Sequence, residues 1–149
     1  MSSPSSGVAS RLTRAALWVL CAAAAYVGGW AMLAPRSFYS GFPGLGHHWI
    51  DADGAYNEHL IRDVGSLYLA LLVLTATAAW RMEPRLVRVA GVVWLVFGIP
   101  HLGYHALHLQ QFGAADIALN ALSLGGIVVL AAGVCVLNRP RAQASHDRP

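Results

Sequence analysis

Apolar residues occur along this chain in four long runs, separated by shorter polar segments. The runs cover residues 15–34, 57–80, 86–109 and 114–137. Because the hydrocarbon core of a bilayer is ~30 Å thick, a spanning helix needs about 20 apolar residues, and each run is long enough. The pattern predicts an all-α integral membrane protein, a four-helix bundle that is multi-pass in the cell membrane.

The composition agrees with a membrane protein. Hydrophobic residues make up 56% of the chain, charged residues only 11%, and the mean hydropathy is +0.52. These values are far from those of a soluble domain with a polar surface. The chain has no basic patch with interleaved aromatic residues, so the expected partner is the lipid bilayer and not a nucleic acid.

Both ends of the chain are polar. Residues 1–10 are rich in Ser and are expected to be a disordered tail, residues 11–138 a single transmembrane domain, and residues 139–149 a polar C-terminal tail. Basic residues before an apolar run are also typical of a cleaved signal peptide. The first run is long and lacks a convincing A-x-A cleavage site, so we expect a retained first helix.

Arginine residues indicate the orientation, because positive residues are retained on the cytoplasmic side of a membrane. In a four-helix arrangement Arg36 and Arg62 lie at one end of the bundle. The arginines that flank the other end are Arg11, Arg14, Arg81, Arg85, Arg88, Arg139 and Arg141. Both termini are therefore predicted to be cytoplasmic.

The loop between the first two spans lies on the outer side in this topology. Residues 36–54 are dense in Gly, Pro and aromatic residues. Aromatic rings favour the membrane interface, where one edge of the ring is buried and the other is wet. The loop is predicted to lie on the membrane as a lid.

Polar residues recur at i, i+4 and i+7 in three of the spans, so each set lies on one face of its helix. The sets are His59, Asp63 and Ser66; His101, His105 and His108; and Asp116, Asn120 and Ser123. An ionisable group at the bilayer centre costs about 2.5–3.5 kcal/mol on insertion scales. The three stripes are therefore expected to face one another in the outer leaflet, with His105 level with Asp63 and Asn120.

The histidines of these stripes predict a metal site. His101 and His105 lie one turn apart and present two imidazoles to one point, and His59 is the expected third ligand. Zinc or copper suits such ligands. Haem b is less favoured, because the cluster is more polar than haem needs.

A metal ion here suggests hydrolysis. Bound zinc lowers the pKa of a water molecule, Asp63 would accept its proton, and Ser66 or Asn120 would hold an oxyanion. The hypothesis is a metal-dependent membrane hydrolase or oxidoreductase, with hydrolysis of a lipid-like substrate as the main case.

The HxxxH pair of His101 and His105, taken with His59, Asp63 and Ser66, resembles the site of the alkaline ceramidase and adiponectin-receptor type of membrane zinc hydrolases. That family has seven helices and this chain has four predicted spans, so the likeness concerns local chemistry. The run YNEHLIRDVGSLYLALLVL followed by GIPHLGYHALHL resembles small four-helix bacterial membrane proteins of the DoxX-like kind. That resemblance implies a fold more than an activity.

Two alternatives use the same residues without a metal. In one, His59, Asp63, His101 and His105 act as acid and base in a lipid or terpenoid isomerase, or as a proton relay. In the other, the stripes only hold together a non-catalytic accessory subunit, whose lid docks a partner.

Some of these polar residues have plain structural interpretations. Glu58 and Arg62 are spaced for a salt bridge at the membrane interface. Asp116 is expected at the start of the last helix, where its charge favours the helix dipole. His108 is expected at the interface, as a hydrogen-bonded or solvated group.

Overall fold

The structure, a computed structural model, describes residues 4–138, with side chains described from residue 7 onward. Its helices are α1 (Pro4–Leu33), α2 (Pro35–Gly41), α3 (Glu58–Arg81), α4 (Pro84–Leu107) and α5 (Ala114–Leu137). Between α2 and α3 lie two short antiparallel strands, β1 (Pro43–Gly44) and β2 (His47–His48), and a 3-10 turn at Asp51–Asp53. The described chain is thus helical apart from one small hairpin.

Four of these helices, α1, α3, α4 and α5, are long and apolar enough to cross a membrane. Local residues set their ends. The side chain of Asn57 caps α3 by accepting a hydrogen bond from the Leu60 amide at 3.1 Å. Pro84 opens α4, at a position where a missing N–H carries no penalty. The protein is a multi-pass membrane protein, and its spans agree with the predicted runs to within a few residues, except at the start of α1.

The four spans form a ring in chain order, each antiparallel to its neighbours. Leu17 of α1 shares one buried cluster with Ala78 of α3 and Val134 of α5. A second cluster, nearer the middle, joins Ala24 and Trp94, and again draws on all four spans. The bundle is therefore solidly packed in the half that contains the α3–α4 turn, which we call the arginine end.

Packing differs at the opposite end, where α1 ends and α3 begins. The buried cluster there contains Ala31 of α1, Phe38 of α2 and Ile61 of α3, without a residue of α4 or α5. We call this the cap end. Since α4 and α5 do not join its core, space is left between the two halves of the ring.

Close backbone contacts tie the spans into two pairs. A Cβ at Gly65 of α3 would lie 2.7 Å from the Met32 amide nitrogen of α1. A Cβ at Gly91 of α4 would lie 2.6 Å from Cys135 Sγ of α5. Small residues allow such close approach of membrane helices. The ring is thus built from an α1/α3 pair and an α4/α5 pair.

A buried hydrogen bond joins the two pairs near the middle of the bundle. The Trp94 indole donates to Thr75 Oγ1 at 2.9 Å, and neither residue is exposed. The Thr75 hydroxyl in turn donates to the Leu71 carbonyl at 2.6 Å. Both polar groups are satisfied in an environment where an unpaired group costs about 1–3 kcal/mol.

The start of α1 corrects one prediction. Residues 4–10, expected to be disordered, belong to the first helix, which begins at Pro4. Proline suits the first helical position, and a helix already fixed by its membrane span extends at low cost into a polar flank. Residues 1–3 and the predicted tail 139–149 lie outside the described residues. The cytoplasmic location of both termini stays a prediction.

Candidate functional site

A cavity of about 500 Å³ occupies the cap end of the bundle. Apolar side chains of α1, α3, α5 and the segment between α1 and α3 form most of its wall, and polar side chains come mainly from α4 and α5. Cavities that bind small molecules have roughly this size, about 300–1,000 Å³, and this mixture of many apolar groups with a few polar ones. The cavity is therefore the candidate site.

Residues 35–57, which we call the cap, cover the cavity. The rings of Phe38 and Phe42 lie 4.8 Å apart, and Phe38 contacts Trp30 of α1 edge to face at 5.9 Å. The Tyr26 hydroxyl donates to the Pro43 carbonyl at 3.0 Å. The loop expected as a lid is thus a folded segment whose aromatic side chains contact α1 and line the cavity.

Asp116 fastens the cap to the last helix. The Trp49 indole donates to Asp116 Oδ1 at 2.8 Å, and His47 Nδ1 donates to the same oxygen. Trp49 is only 7% exposed and lines the cavity. Asp116 lies in the first turn of α5, as expected, but its carboxylate also holds a segment that is 67 residues away in sequence.

A second set of contacts ties the cap to the α1/α3 pair. Glu58 forms the predicted salt bridge with Arg62 at 2.9 Å, and Arg62 also donates to the Met32 carbonyl. The Tyr56 hydroxyl donates to Glu58 at 3.2 Å, and the Arg36 guanidinium lies 4.5 Å from the centre of the Tyr56 ring. Desolvation and then the Glu58 carboxylate raise the pKa of Tyr56. The phenol therefore stays protonated and keeps this donor role at neutral pH.

The polar wall of the cavity is formed by His101, His105 and Asn120. The rings of the two histidines meet edge to face, with centroids 4.8 Å apart. Asn120, 3% exposed, places its amide nitrogen 3.5 Å from His105 Nδ1. The predicted pairing of His105 with Asn120 across α4 and α5 is thus present.

His101 is held differently from His105. Its ring stacks on Phe97, with centroids 5.0 Å apart and planes 25° apart. Among residues 7–138, neither ring nitrogen of His101 has a hydrogen-bond partner, although the residue lines the cavity. The structure therefore leaves hydrogen-bonding capacity at the cavity wall.

The stripe of α3 does not join this wall, and the predicted convergence is wrong in this respect. His59 and Asp63 pair with each other, Nε2 to Oδ2, at 3.3 Å, with side chains 87% and 54% exposed. Ser66 is also exposed, and its hydroxyl donates to the Asp63 carbonyl at 2.9 Å. All three lie on the outer surface of the bundle and not on the cavity wall.

The reason lies in the rotation of α3. Its buried face near the cap is Ile61, Gly65 and Tyr68, a set with the same i, i+4, i+7 spacing but displaced by two residues. At roughly 100° per residue, two residues turn the polar stripe to the far side of the helix. The close contact of Gly65 with α1 requires this rotation, and the stripe stays near the helix start, where it can reach polar surroundings.

The three-histidine metal site is consequently not assembled. Only His101 and His105 of the predicted ligands lie on the cavity wall, and residues 7–138 contain no group of three or more His, Cys, Asp or Glu placed to hold a metal ion. Zinc, copper or haem b binding stays a prediction. The residues present supply two imidazoles and an amide instead of a closed ligand set.

The sequence interpretation missed several residues of the site. Trp49 and Asp53 of the cap and Tyr104 of α4 line the cavity, and Ser123, assigned to a stripe, does so too. Asp53 also accepts a hydrogen bond from Gln111 at 2.7 Å, which ties the cap to the α4–α5 turn. The density of aromatic residues in the loop was the available signal for a cap of this kind.

No family model, curated protein or solved structure matches the chain in the comparisons with known proteins. The resemblances to DoxX-like proteins and to membrane zinc hydrolases therefore stay predictions.

Proposed function

We propose that the protein binds a lipid-like small molecule, an apolar chain with one polar end, in the cavity at the cap end. The observation that carries this proposal is His101, a histidine without a protein hydrogen-bond partner in a mostly apolar cavity. A ligand hydroxyl, amine or carboxylate at this height would form a hydrogen bond with the His101 imidazole, and such a bond contributes about 0.5–1.5 kcal/mol, or more where the ligand group is charged.

The cavity also suggests how such a ligand lies. Ile127 lies about one helical turn deeper than His101, because it neighbours Gly98 across α4 and α5, whereas His105 lies nearer the cap beside Asn120. The apolar chain would point toward the bundle centre and the polar end toward the cap. This is the orientation that a lipid of the same leaflet already has, so little reorientation is needed on binding.

Replacement of His101 tests the proposal. His101→Phe keeps a ring to stack on Phe97 but removes both nitrogens, so we expect a long-chain alcohol to bind about tenfold more weakly, the effect of losing roughly 1.4 kcal/mol. Affinity is measured by saturable binding of the tritiated alcohol to purified protein in detergent.

His108→Phe is the matched control. His108 stacks on Tyr104 at 4.1 Å and donates to the Tyr104 carbonyl at 2.8 Å, and it is not part of the cavity wall. Its affinity should equal that of the unmodified protein. Equal affinity in both variants, or no saturable binding of alcohols, acids or amines of this kind, contradicts the proposal.

A second candidate function is catalysis at the same wall, favoured by the histidine pair. Two imidazoles with centroids 4.8 Å apart are suited to act as acid and base on a bound substrate, and the Asn120 amide beside them can donate to a developing negative charge. The metal-dependent version is decided by element analysis and a visible spectrum after loading with zinc, copper or haem. One bound metal ion per protein chain, absent from His105→Ala, would favour the metal-dependent version.

A further inference from the structure

The cavity reaches the surface of the bundle between α3 and α4. Leu60 of α3 is 59% exposed and Tyr104 of α4 is 48% exposed, yet both line the cavity. We call the gap between these two residues the α3/α4 slot. A residue that contacts both the cavity and the surroundings marks an opening in the wall.

The packing of the spans explains this opening. Near the middle, α3 and α4 are joined by Thr75 with Trp94 and by Tyr68 with Phe97 at 5.2 Å. Closer to the cap, no hydrogen bond or aromatic pair joins these two helices in the described part of the chain. There α3 follows α1 through Gly65, while α4 follows α5 through Gly98, so the two pairs separate.

The route from above is crossed by side-chain hydrogen bonds, including the one that Gln111 donates to Asp53, the exposed cap residue that lines the cavity. Trp49 and His47 are both fastened to Asp116, and the aromatic rings of the cap cover the cavity. A molecule arriving from water would have to break these hydrogen bonds. A molecule arriving sideways meets Leu60 and Tyr104, which no hydrogen bond joins in the described part of the chain.

A second gap in the cavity wall lies between α1 and α5. Tyr26 and Ser123 are exposed cavity residues on that side. Their hydroxyls are already used, Tyr26 on the Pro43 carbonyl and Ser123 on the Asn120 carbonyl. Tyr26 also packs against Phe42 of the cap, so this gap is occupied by side chains.

Polar groups flank the α3/α4 slot on both sides of the wall. His59 and Asp63 lie outside it on the exposed face of α3, one residue before and three after Leu60. His101 lies inside on the cavity wall. The polar end of a passing molecule would therefore have a hydrogen-bonding partner before, and again after, it crosses the wall.

We propose that the ligand is a membrane-dissolved single-chain amphiphile that reaches the cavity sideways from the bilayer through the α3/α4 slot. This inference rests on the proposed function. It assigns a role to the exposed His59–Asp63 pair, as the polar flank of the slot, and it makes Leu60 the residue that controls passage. Ligand exchange should depend on the width of the slot and not on opening of the cap.

The test compares the rates of association and dissociation of a tritiated long-chain alcohol, followed by scintillation proximity on purified protein. Leu60→Trp narrows the α3/α4 slot, and Leu122→Trp is the matched control on α5, because Leu122 is 74% exposed and does not line the cavity. We expect Leu60→Trp to slow both rates about tenfold with little change in Kd, because a barrier on the route slows both directions equally. Leu122→Trp should leave both rates nearly unchanged.

Asp116→Ala is the third variant and removes the acceptor that fastens the cap. If the alcohol came through the cap, this variant would speed both rates, and such a result overturns the inference. Normal exchange in Leu60→Trp overturns it as well. In both cases saturable binding persists and the proposed function stands, whereas loss of saturable binding in the unmodified protein removes the proposed function itself.

Discussion

At the scale of single residues, the site depends on how each polar group is satisfied. His105 is 8% exposed and has Asn120 as its neighbour, whereas His101 has only ring contacts. Two histidines of one helix thus have different roles. His105 belongs to the protein's own hydrogen-bond network, and His101 offers its nitrogens to whatever occupies the cavity.

Removal of the Asn120 side chain should therefore weaken the fold. Asn120→Ala leaves His105 Nδ1 without a partner at a buried position, and we expect a loss of about 1–3 kcal/mol in the free energy of unfolding. The measurement is thermal unfolding of the purified protein in detergent.

Ser123→Ala serves as the control, since the Ser123 hydroxyl bonds only to the carbonyl of its own helix turn at 3.1 Å. It should change the free energy of unfolding by no more than about 0.5 kcal/mol. A stability of Asn120→Ala equal to that of the control would show that His105 does not depend on Asn120.

The spacing of polar residues in the sequence predicted part of the site. The i, i+4, i+7 spacing correctly placed His101, His105 and Asn120 on inward faces. The same spacing failed for His59 and Asp63, because a repeat defines a face without saying which way the helix is turned. Gly65 held the missing information: a small residue with large apolar neighbours marks the face on which membrane helices approach.

At the scale of elements, the bundle is two tight helix pairs joined at one level. Gly65 sets the α1/α3 pair and Gly91 the α4/α5 pair, while Thr75 and Trp94 connect them. The cavity is the space left where the pairs separate toward the cap. Its side walls are consequently determined by helix packing, and the cap closes it from above.

Enlargement of Gly65 should force the first pair apart. In Gly65→Ala the new Cβ would meet backbone atoms of α1 at 2.7 Å, and we expect the free energy of unfolding to fall by about 1–3 kcal/mol. Thermal unfolding of the purified protein in detergent measures this loss of stability.

Gly29→Ala is the matched control, because a Cβ at Gly29 has nothing within 4 Å. Alanine has the higher helix propensity, by about 1 kcal/mol, so this variant should be neutral or slightly more stable. Equal destabilisation by both changes would contradict the packing role of Gly65.

The spans themselves were predictable and the cap was not. Long apolar runs are set by bilayer thickness, so the spans could be predicted to within a few residues. In the cap, α2 and the hairpin are only a few residues long, and their positions depend on distant groups such as Asp116 and Gln111. Contacts of that range leave no periodic signal in the sequence.

At the scale of the whole molecule, charge is distributed unevenly between the two ends. The arginine end carries Arg81, Arg85 and Arg88, whereas the cap end carries Asp51, Asp53 and Asp116 among its polar groups. By the positive-inside rule the arginine end would be cytoplasmic and the cap outside. This orientation would place the α3/α4 slot in the outer leaflet.

Reporter fusions test the orientation. A fluorescent protein attached after Pro149 should be bright, and alkaline phosphatase attached at the same point should be inactive, if the C-terminus is cytoplasmic. Insertion of phosphatase in the α4–α5 turn, at Gly113, should give an active enzyme. The reverse pattern would show that the C-terminus lies outside the cell and that the α3/α4 slot lies in the inner leaflet.

The measurement that tests the central claim most directly is photolabelling with a single-chain alcohol that carries a diazirine next to its hydroxyl. If the alcohol occupies the cavity, labelling should be saturable, should be competed by unmodified alcohol, and should map to residues 101–105 of α4 and 120–124 of α5. Labelling that is not competed and that spreads over exposed residues such as Val96 and Leu122 would show contact with bulk lipid alone, and would contradict the account.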